Sequence, residues 1–398
     1  MTEPAPQTYP ICPMRRLDAY PEYAGLRADD ELPKVQMPYG EPTWLTVKHE
    51  DVRAFLMDPL FSRADGVGKS APGFSPNGFG RSIPFMDAPE HTEARRLLAR
   101  GLGKKRAESL RPRMQQIVDR LIDAMLAKGA PADLVADFAR PLPLAVNCEL
   151  YGVPEEDREQ FEAWSTSLMA GAGRPPEEMM AGGRGLMEYT ATMITRRRRE
   201  PGDDLVSALV QAWDQHGGFT DQELVQAVLT LLLGGLDPVT AHIANSMFIL
   251  LQNREQYALL KSRPEIAPTA VEELLRFVSI GDVFGFGSYA SQDTKLGATT
   301  VQAGEPVLAL LASANRDAAV FTEPDRLDLT REINPHVSFG HGPHYCAGAA
   351  LARVELQLAY TTLAARMPEL RLVEQDQHDW WYPKVTVIRT FHRLPVEW

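Results

Sequence analysis

Hydrophobic residues recur every three to four positions over most of the chain, which is the spacing of one face of a helix. This pattern predicts helices over 49–58, 90–101, 105–128, 132–151, 154–171, 177–200, 203–215 and 267–278. The longest pattern runs from Asp221 to about Asn253 and begins with Thr220 and Glu223 in the spacing of a capping box. Because it is apolar nearly all round, it predicts a buried central helix about 45 Å long.

Shorter alternating patterns indicate a smaller β-rich region. They predict strands around 43–47 and 284–308 and a terminal hairpin over 385–398, whereas residues 1–40 form a proline-rich, irregular wrapping segment. No internal repeat or low-complexity segment divides the chain. We therefore predict a single domain over 1–398, mainly α with a smaller β-rich region.

Residues 62–89 form a long segment rich in Gly, Pro and Ser. A loop of this length inside a compact domain is usually functional or disordered. Its apolar residues Phe74, Phe79, Phe85 and Met86 favour a binding loop. For Phe74 and Phe79, a flexible surface excursion remains the alternative.

Composition and charge narrow the classes of function. The 398 residues include 41 basic and 53 acidic side chains, and the net charge of −12 argues against a general nucleic-acid or anionic-membrane surface. The three cysteines, an odd and sparse set, are typical of a reducing cytoplasm. The N-terminus lacks signal-peptide features, and the best apolar stretch, 224–236, is shorter than the ~20 residues a membrane span needs. A cytoplasmic protein is therefore predicted.

Cys346 stands between a loop with several glycines, 339–345, and a segment rich in helix formers. A sulfur at the start of a helix is favoured as thiolate, and upstream glycines let backbone N–H groups point towards it. These features suit a heme-thiolate site. Taken alone, a cysteine such as Cys346 is more often a buried structural residue. Zinc binding with His341 and His344 lacks a second ligand pair, and a Cys/His nucleophile is disfavoured because His344 is only two residues away.

The whole stretch decides between these alternatives. Its fixed positions fill the pattern Phe-Gly-x-Gly-x-His-x-Cys-x-Gly, which resembles the heme-binding signature of the cytochrome P-450 family; they are Phe339, Gly340, Gly342, His344, Cys346 and Gly348. The resemblance extends from about residue 40 to the end. It implies the cytochrome P-450 fold, with a long central helix over a heme b (iron protoporphyrin IX) and Cys346 as the axial ligand of its iron.

Other motifs agree with the resemblance. The His-Thr-x-x-Arg pattern of His91 and Arg95 implies that these two residues, with His344, hold the heme propionates. The resemblance also places Phe339, Gly340, Gly348 and Gly235 against the heme. Glu273 and Arg276 match the family's Glu-x-x-Arg helix and, with Arg326, are expected to form a buried ion network that serves folding and heme retention.

The central helix departs from the family pattern at its acid-alcohol pair, which delivers protons to the heme site. The acid is present as Asp237, but Pro238 occupies the position of the alcohol. Proline removes a backbone donor, so we expect the helix to kink or open there. Asp237 is the predicted proton donor, and Thr240 is a weak second because it lies about 200° round the helix.

A second departure is Ser288, which stands where the family usually has an arginine that binds a heme propionate. Its loss leaves the propionates to His91, Arg95 and His344. We expect the substrate pocket to draw on the loop 64–88, the central helix and the segments near 284–288 and 387–388. The predicted substrate-binding residues are Phe85, Met86, Leu232, Val239, Phe284, Ser288, Val387 and Ile388. A pocket of this composition favours an apolar or aromatic small molecule.

The resemblance implies a heme-thiolate oxidoreductase that uses O2 and electrons from a separate redox partner. The favoured interpretation is a tailoring hydroxylase of natural-product biosynthesis. Oxidative radical C–C or C–N coupling of aromatic substrates such as cyclic dipeptides and a peroxide-driven peroxygenase are the alternatives. A heme sensor or carrier would need neither Asp237 nor a partner surface.

A basic cluster on this acidic protein supports the separate partner. The sequence from Arg95 to Arg113 contains eight basic residues and a single acid, Glu108. The basic residues are Arg95, Arg96, Arg100, Lys104, Lys105, Arg106, Arg111 and Arg113. The hypothesis is that this cluster binds an acidic ferredoxin by complementary charge. A solvated helix face remains the alternative.

Overall fold

The computed structural model describes residues 6–11, 17, 21–74, 82–168, 175–218, 220–281, 283–374, 380–381 and 388–398, and of residues 100, 176 and 284–286 only the backbone. The chain forms two compact units, each made of two segments. Unit 1 comprises 1–93 and 272–346, and unit 2 comprises 94–271 and 347–398. Two helices continue from one unit into the other, namely α3 (Glu90–Leu102) and α11 (Ala267–Phe277).

Unit 1 holds most of the β-structure. Its elements are β1 (Gln7–Thr8), α1 (Pro21–Ala28), β2 (Lys34–Gln36), β3 (Thr43–Thr46), α2 (His49–Met57), β4 (Phe61–Ser62), β6 (Val283–Ala290), β7 (Thr294–Leu296), β8 (Thr299–Val301), β9 (Pro306–Leu310) and α12 (Leu311–Ala314). Six strands form one sheet in the order β1-β2-β3-β9-β6-β4. In it β3 runs parallel to β9, while β6 runs antiparallel to β9 and to β4.

Apolar residues on the two faces of this sheet form two cores, as expected when side chains alternate along a strand. One core gathers Phe55 and Phe61 with Val307 and Ala309, and the other gathers Tyr23 and Leu45 with their neighbours. The strands and the helix predicted over 43–58 and 284–308 are confirmed by these elements.

Unit 2 is mainly helical. Its elements are α4 (Lys104–Lys128), β5 (Ala132–Asp133), α5 (Pro141–Tyr151), α6 (Arg158–Leu168), α7 (Pro176–Arg199), α8 (Leu205–His216), α9 (Asp221–Gln252), α10 (Arg254–Ser262), α13 (Ala349–Arg366), β10 (Arg371–Leu372) and β11 (Pro395–Glu397). The mainly helical prediction with a smaller β-rich region is therefore confirmed.

Helix α9 is the predicted central helix, and its first turn has both halves of the capping box. Thr220 Oγ1 accepts from the backbone N–H of Glu223 at 3.3 Å, and Glu223 Oε2 accepts from the N–H of Thr220 at 2.7 Å. Within the described residues, α9 alone is long and apolar enough to span a membrane, but 56% of its most apolar window is buried inside the protein. It packs against α5, α7 and α13, which is how a core helix satisfies an apolar surface.

Four local predictions differ from the structure. Helix α9 continues without interruption through Pro238, so the predicted opening is absent, whereas a kink at Pro238 stays a prediction. The pattern over 132–151 is broken into β5, a π-helical turn (Val135–Ala139) and α5, because Pro141 starts a new helix at its first position. The pattern over 154–171 starts as a 3-10 turn, and α6 begins only at Arg158.

The fourth concerns the chain terminus. In the described part of 385–398, strand β11 does not pair within its own segment. It pairs instead with β10 on one side and with β5 on the other, in a three-stranded antiparallel sheet of unit 2. These partners are distant in sequence, so a local alternating pattern could not identify them.

Candidate active site

The loop before Cys346 is folded back on itself by backbone hydrogen bonds. The N–H of Cys346 donates to the carbonyl of Phe339 at 2.9 Å, and the N–H of Gly340 donates to the carbonyl of Val337 at 2.8 Å. Gly340 and Gly342 have φ angles of 72° and 73°, the left-handed region that favours glycine. The sequence therefore sets the loop shape that holds the half-buried Cys346 in place.

Gly342 has a second reason to be glycine. A Cβ on this residue would lie 2.4 Å from the carbonyl oxygen of Leu56 and 2.9 Å from Met57 Sδ, whereas a Cβ on Gly340 would meet no atom within 4 Å. The loop thus packs tightly on the end of α2 at Gly342 and is open at Gly340.

Side chains of unit 1 anchor the start of the same loop. Asn315 accepts at Oδ1 from the N–H of Val337 at 2.8 Å and donates from Nδ2 to Ser338 Oγ at 2.8 Å. Ser338 Oγ in turn donates to the carbonyl of Leu275 at 2.6 Å. These bonds tie the cysteine loop to helix α11.

Helix α11 carries the predicted ion network. Arg276 and Glu273 are fully buried and form two hydrogen bonds of 2.8 Å, and Arg276 Nη1 also donates to the carbonyls of Asn315 and Pro324. The Glu273–Arg276 pair is therefore where the sequence predicted it. Because its second guanidinium nitrogen reaches the backbone of the segment before the cysteine loop, the pair supports that loop.

The third member of the network differs from the prediction. Arg326 contributes only its backbone carbonyl, while its exposed guanidinium pairs with Glu323. Arg331 takes its place, with Nε 3.0 Å from Glu273 Oε2. Asn334 Nδ2 also donates a hydrogen bond to Glu273 Oε2, at 3.1 Å.

Two of the predicted propionate-binding residues lie together in unit 1. The rings of His91 and His344 stack with their centroids 3.8 Å apart and an angle of 29° between their planes. His91 is buried near the start of α3, where its N–H donates to the carbonyl of Asp87 at 2.8 Å. Arg95 follows one helical turn later on α3, so it shares the face of His91.

Helix α13 begins three residues after Cys346, with Gly348 at its N-cap. A Cβ on Gly348 would meet no atom within 4 Å. In unit 1, Gly340 is likewise open where a Cβ would project, which leaves room for a flat group to pass close to the backbone of the cysteine loop. The chemistry of a half-buried thiol just before a helix fits an iron ligand. The residues present therefore fit heme.

Two residues in the middle of α9 are exposed, although most of this helix is buried. Leu233 is 38% exposed and Gly234 is exposed, although the helix is buried from Val239 to Leu251. A Cβ on Gly234 would meet no atom within 4 Å, whereas one on Gly235 would lie 3.2 Å from Asn147 Oδ1. The open glycine of this helix is therefore Gly234, and Gly235 packs on helix α5.

The predicted proton donors lie on either side of Pro238. Asp237 is half-buried, whereas Thr240 is buried and its hydroxyl has no hydrogen-bond partner within the described part of the chain. Glu355 on α13 is a buried acid that the sequence did not single out, and burial raises its pKa to about 8. An apolar helix with one glutamate is the only sequence signal for it.

The residues predicted to bind substrate are distributed over both units. Leu232 and Val239 are buried in unit 2, and Phe85 and Met86 are buried in unit 1. Ser288 is buried opposite Val307 in the sheet, and Ile388 is half-buried. Val387 and Phe79 lie outside the described residues. For Phe284, only the backbone is described. Phe74 packs edge-to-face on Tyr9 at 5.9 Å, which is a core contact of the sheet.

The basic cluster is partly neutralised within the protein. Its members Arg106, Arg111 and Arg113 pair with Asp203, Glu108 and Glu149 at 2.9, 2.7 and 3.0 Å. Arg96, Lys104 and Lys105 are exposed, and the side chain of Arg100 is not described. Lys104 and Lys105 thus present exposed positive charge at the start of α4.

Comparison with known proteins agrees with this geometry. The Cytochrome P450 family model matches residues 178–367. Nocardicin C N-oxygenase of Nocardia uniformis subsp. tsuyamanensis is 45% identical over 404 residues, and mycinamicin IV hydroxylase/epoxidase of Micromonospora griseorubida is 43% identical over 399 residues. Both alignments cover 100% of this chain and 100% of the relative.

Solved structures are similar over the same length. The mixed-function P450 MycG superposes with a TM-score of 0.94 at 42% identity, covering 99% of this chain and 100% of that chain. The LnmA cytochrome P450 hydroxylase from the leinamycin pathway of Streptomyces atroolivaceus S-140 has a TM-score of 0.91 at 40% identity, covering 98% and 100%. Relatives of this kind bind heme b, act on small molecules and take electrons from a separate redox partner. The chain therefore belongs to the cytochrome P450 family of heme-dependent monooxygenases.

Proposed function

We propose that this chain is a tailoring monooxygenase of natural-product biosynthesis, acting on an apolar or aromatic substrate. The observation that carries the proposal is full-length similarity to two proteins named for oxygenation of natural products, nocardicin C and mycinamicin IV. The chain's own residues support an apolar substrate, because Leu233 and Gly234 are accessible in the middle of an apolar helix.

In this proposal Cys346 is the thiolate ligand of the heme iron. The bound heme supplies activation of dioxygen, and the protein holds and orients it. His91, Arg95 and His344 hold the propionates, while Phe339, Gly340 and Gly348 lie against the ring. The stacking of His91 on His344 supports a shared role, since each ring fixes the orientation of the other.

Replacement of Cys346 by Ala tests the ligand. The holoenzyme should lose the reduced carbon-monoxide band of a thiolate heme, and an unchanged band would refute the assignment. Cys148→Ala is the matched control, because Cys148 is buried on α5 and burial raises its pKa to about 12. That variant should keep the band.

Proton delivery is assigned to Asp237, with the hydroxyl of Thr240 as a second group. Asp237 precedes Pro238 on α9, whose ring leaves no N–H for the carbonyl of Gly234. That carbonyl is an acceptor in the accessible middle of the helix, so it can hold a water molecule or a substrate hydroxyl. We therefore propose that a water molecule or a substrate hydroxyl, bound to the carbonyl of Gly234, takes over proton delivery from the alcohol that Pro238 lacks.

The substrate is tested by the spin-state shift of the heme Soret band. The panel contains aromatic cyclic dipeptides, macrolides, terpenes and steroids. A high-spin shift with macrolides, terpenes or steroids, followed by a hydroxylated product, supports the proposal. A shift only with aromatic peptides, together with dimers in the mass spectrum, would replace hydroxylation by oxidative coupling.

We further propose that an acidic ferredoxin binds at 96–105, where Lys104 and Lys105 are exposed at the start of α4. Lys105→Glu should slow reduction by a ferredoxin and weaken its dependence on salt. Lys261→Glu, which makes the same charge change on exposed α10, is the control. Equal effects of both variants would refute the site, and turnover with hydrogen peroxide at the rate of the reconstituted electron chain would favour a peroxygenase.

A cytoplasmic location is part of the proposal. It is supported by the sparse cysteines of the sequence and by the burial of the apolar helix α9 inside the protein. Fractionation of the producing cells tests it, because recovery of the chain with the membranes would contradict it.

A further inference from the structure

Helix α5 carries one buried amide side chain in an otherwise apolar surface. Asn147 is 3% exposed, and the other buried residues of α5 are aliphatic residues, two prolines' worth of apolar surface excepted none, a cysteine and a tyrosine. A buried amide costs free energy unless it is hydrogen-bonded, so its presence here calls for a specific partner. That partner lies on the central helix α9, which belongs to the same unit 2.

Two side chains of α5 donate to successive turns of α9. Asn147 Nδ2 donates to the carbonyl of Leu232, and Tyr151 Oη donates to the carbonyl of Val228, each at 3.4 Å. The donors are four residues apart on α5 and the acceptors are four residues apart on α9. Because residues 232 and 236 are not prolines, both carbonyls also have the helical N–H four residues on. The bonds from α5 therefore fix where α9 lies.

Gly235 brings the backbone of α9 against the same amide. A Cβ on Gly235 would lie 3.2 Å from Asn147 Oδ1 and 3.4 Å from Asn147 Nδ2. The amide thus occupies the place where a side chain would otherwise stand, and Gly235 lies only about 60° from Leu232 round the helix. One side chain contacts α9 at two neighbouring points, so it fixes the rotation of the helix, as a buried asparagine fixes the register of a coiled coil.

This rotation decides which residues of α9 face away from α5. Asp237 lies about 200° from Gly235, on the opposite side of the helix, and about 60° from Gly234. Gly234 is exposed and Asp237 is half-buried, as this arrangement requires. The contact between Asn147 and Gly235 therefore keeps Gly234 and Asp237 together on the accessible side.

Pro238 makes this contact more important than it would be in an unbroken helix. Its ring leaves the carbonyl of Gly234 without a helical N–H, so one bond between the two halves of α9 is missing. The second half is buried from Val239 to Leu251, whereas Leu233 and Gly234 are exposed. Just before the gap, the first half is held by the donor on α5.

We propose that Asn147 is a positioning residue for proton delivery. It holds α9 so that the carbonyl of Gly234 and the carboxyl group of Asp237 face the same water molecule or substrate hydroxyl. The inference rests on the proposed function above. It adds a residue of α5 to a step that is otherwise assigned to α9 alone.

The test is a double-mutant cycle on the hydrogen peroxide released per product formed, using the holoenzyme and a reconstituted electron chain. Asn147→Leu keeps the shape of the side chain and removes its donor. It should raise this ratio roughly 2- to 10-fold, the effect of one hydrogen bond. In the Pro238→Ala background the backbone N–H holds the Gly234 carbonyl, so the same substitution should change the ratio by less than about twofold.

Tyr151→Phe provides the matched control for a merely structural hydrogen bond. It removes the donor to Val228, one turn farther from Pro238, and leaves the contact with Gly235 intact. It should lower the urea midpoint of unfolding about as much as Asn147→Leu does, without raising the peroxide ratio. Asn147→Ser, whose hydroxyl is too short to reach Leu232, replaces Asn147→Leu if that variant does not fold.

Two results would overturn the proposal. One is a peroxide ratio in Asn147→Leu that does not exceed the ratio in Tyr151→Phe. The other is an equal rise of the ratio in the wild-type and Pro238→Ala backgrounds, because Asn147 would then act independently of the missing bond at Gly234.

The wild-type protein separates this proposal from the proposed function. A wild-type chain without the reduced carbon-monoxide band, or without an oxygenated product from any member of the substrate panel, would refute the function itself. A wild-type chain that forms product, with an unchanged ratio in Asn147→Leu, would refute only the role of Asn147.

Discussion

Arg331, and not Arg326, reaches the buried carboxylate of Glu273, with its Nε 3.0 Å from Oε2. Both arginines come from the same short segment before the cysteine loop. Glu273 is fully buried and Arg331 is 12% exposed, whereas the guanidinium of Arg326 is 65% exposed. Of these two arginines, the one whose side chain is nearly buried is therefore the one that joins the ion network.

This relationship predicts unequal effects of two similar substitutions. Arg331→Met should destabilise the protein by about 2–4 kcal/mol, because it removes a partner from a buried carboxylate. Arg326→Met should change stability by less than about 1 kcal/mol, as expected of an exposed ion pair. Urea unfolding of the two holoenzymes measures the difference. Equal midpoints would mean that Arg331 contributes no more than a surface charge.

The two arginines also show where sequence reasoning reaches its limit. The cysteine loop was predicted because its glycines, His344 and Cys346 lie within ten consecutive positions and the geometry they impose is local. Glu273 and Arg276 share a helix face, so their pairing was predictable as well. The third partner depends on how 323–334 folds over α11, and a spacing pattern does not contain that path.

The same distinction applies to strands. Ser62 lies opposite Tyr289 only through the pairing of β4 with β6, and β11 pairs with β5, which is distant in sequence. The sequence predicted a buried central helix that contributes Leu232, Gly235 and Val239 to the site. It did not indicate that Leu233 and Gly234 are the exposed residues of this stretch, because the sequence there is as apolar as its surroundings. Non-local contacts decide each of these features.

The paired glycines of the cysteine loop give a second prediction. Gly342→Ala should destabilise the loop by about 3 kcal/mol or more, because its Cβ would overlap the carbonyl of Leu56 as well as strain the backbone. Gly340→Ala meets no atom within 4 Å and has nearly the same φ, so only the left-handed penalty of about 1–2 kcal/mol applies. The fraction of protein with a thiolate carbon-monoxide band, followed during heating, measures both. A larger loss in Gly340→Ala would contradict the packing argument.

Pro238 gives a third prediction, which concerns proton delivery. Pro238→Thr restores the alcohol beside Asp237 and should lower the hydrogen peroxide released per electron pair, by up to about an order of magnitude. Pro238→Ala restores only the backbone N–H. It should stabilise the helix about as much as Pro238→Thr does, but it should not lower peroxide release. The two variants therefore separate the hydroxyl from the backbone.

The measurement is peroxide release against product formed with a reconstituted electron chain. If both variants leave the ratio unchanged, a water molecule or the substrate at Gly234 already replaces the alcohol. If Pro238→Ala improves the ratio as much as Pro238→Thr, the backbone hydrogen bond rather than the hydroxyl limits the wild-type enzyme.

Glu355 gives a prediction about pH. It is buried on α13, where burial raises its pKa from 4.5 to about 8, and its Oε1 has no hydrogen-bond partner within the described residues. The folded state therefore favours the neutral acid and binds one proton more than the unfolded state between about pH 4.5 and about pH 8. Stability should fall as the pH rises through this window, since the unfolded chain ionises first.

Glu355→Gln keeps the shape of the neutral acid and removes its ionisation. It should match the wild type near pH 5 and exceed it near pH 9 by on the order of 4 kcal/mol. Glu369→Gln, at an exposed position of the same unit, should show no such pH dependence. Urea unfolding of the three proteins at both pH values checks this. A wild type and a Glu355→Gln variant that keep a constant difference would show that the folded state holds Glu355 ionised, with a partner outside the described residues supplying the compensation.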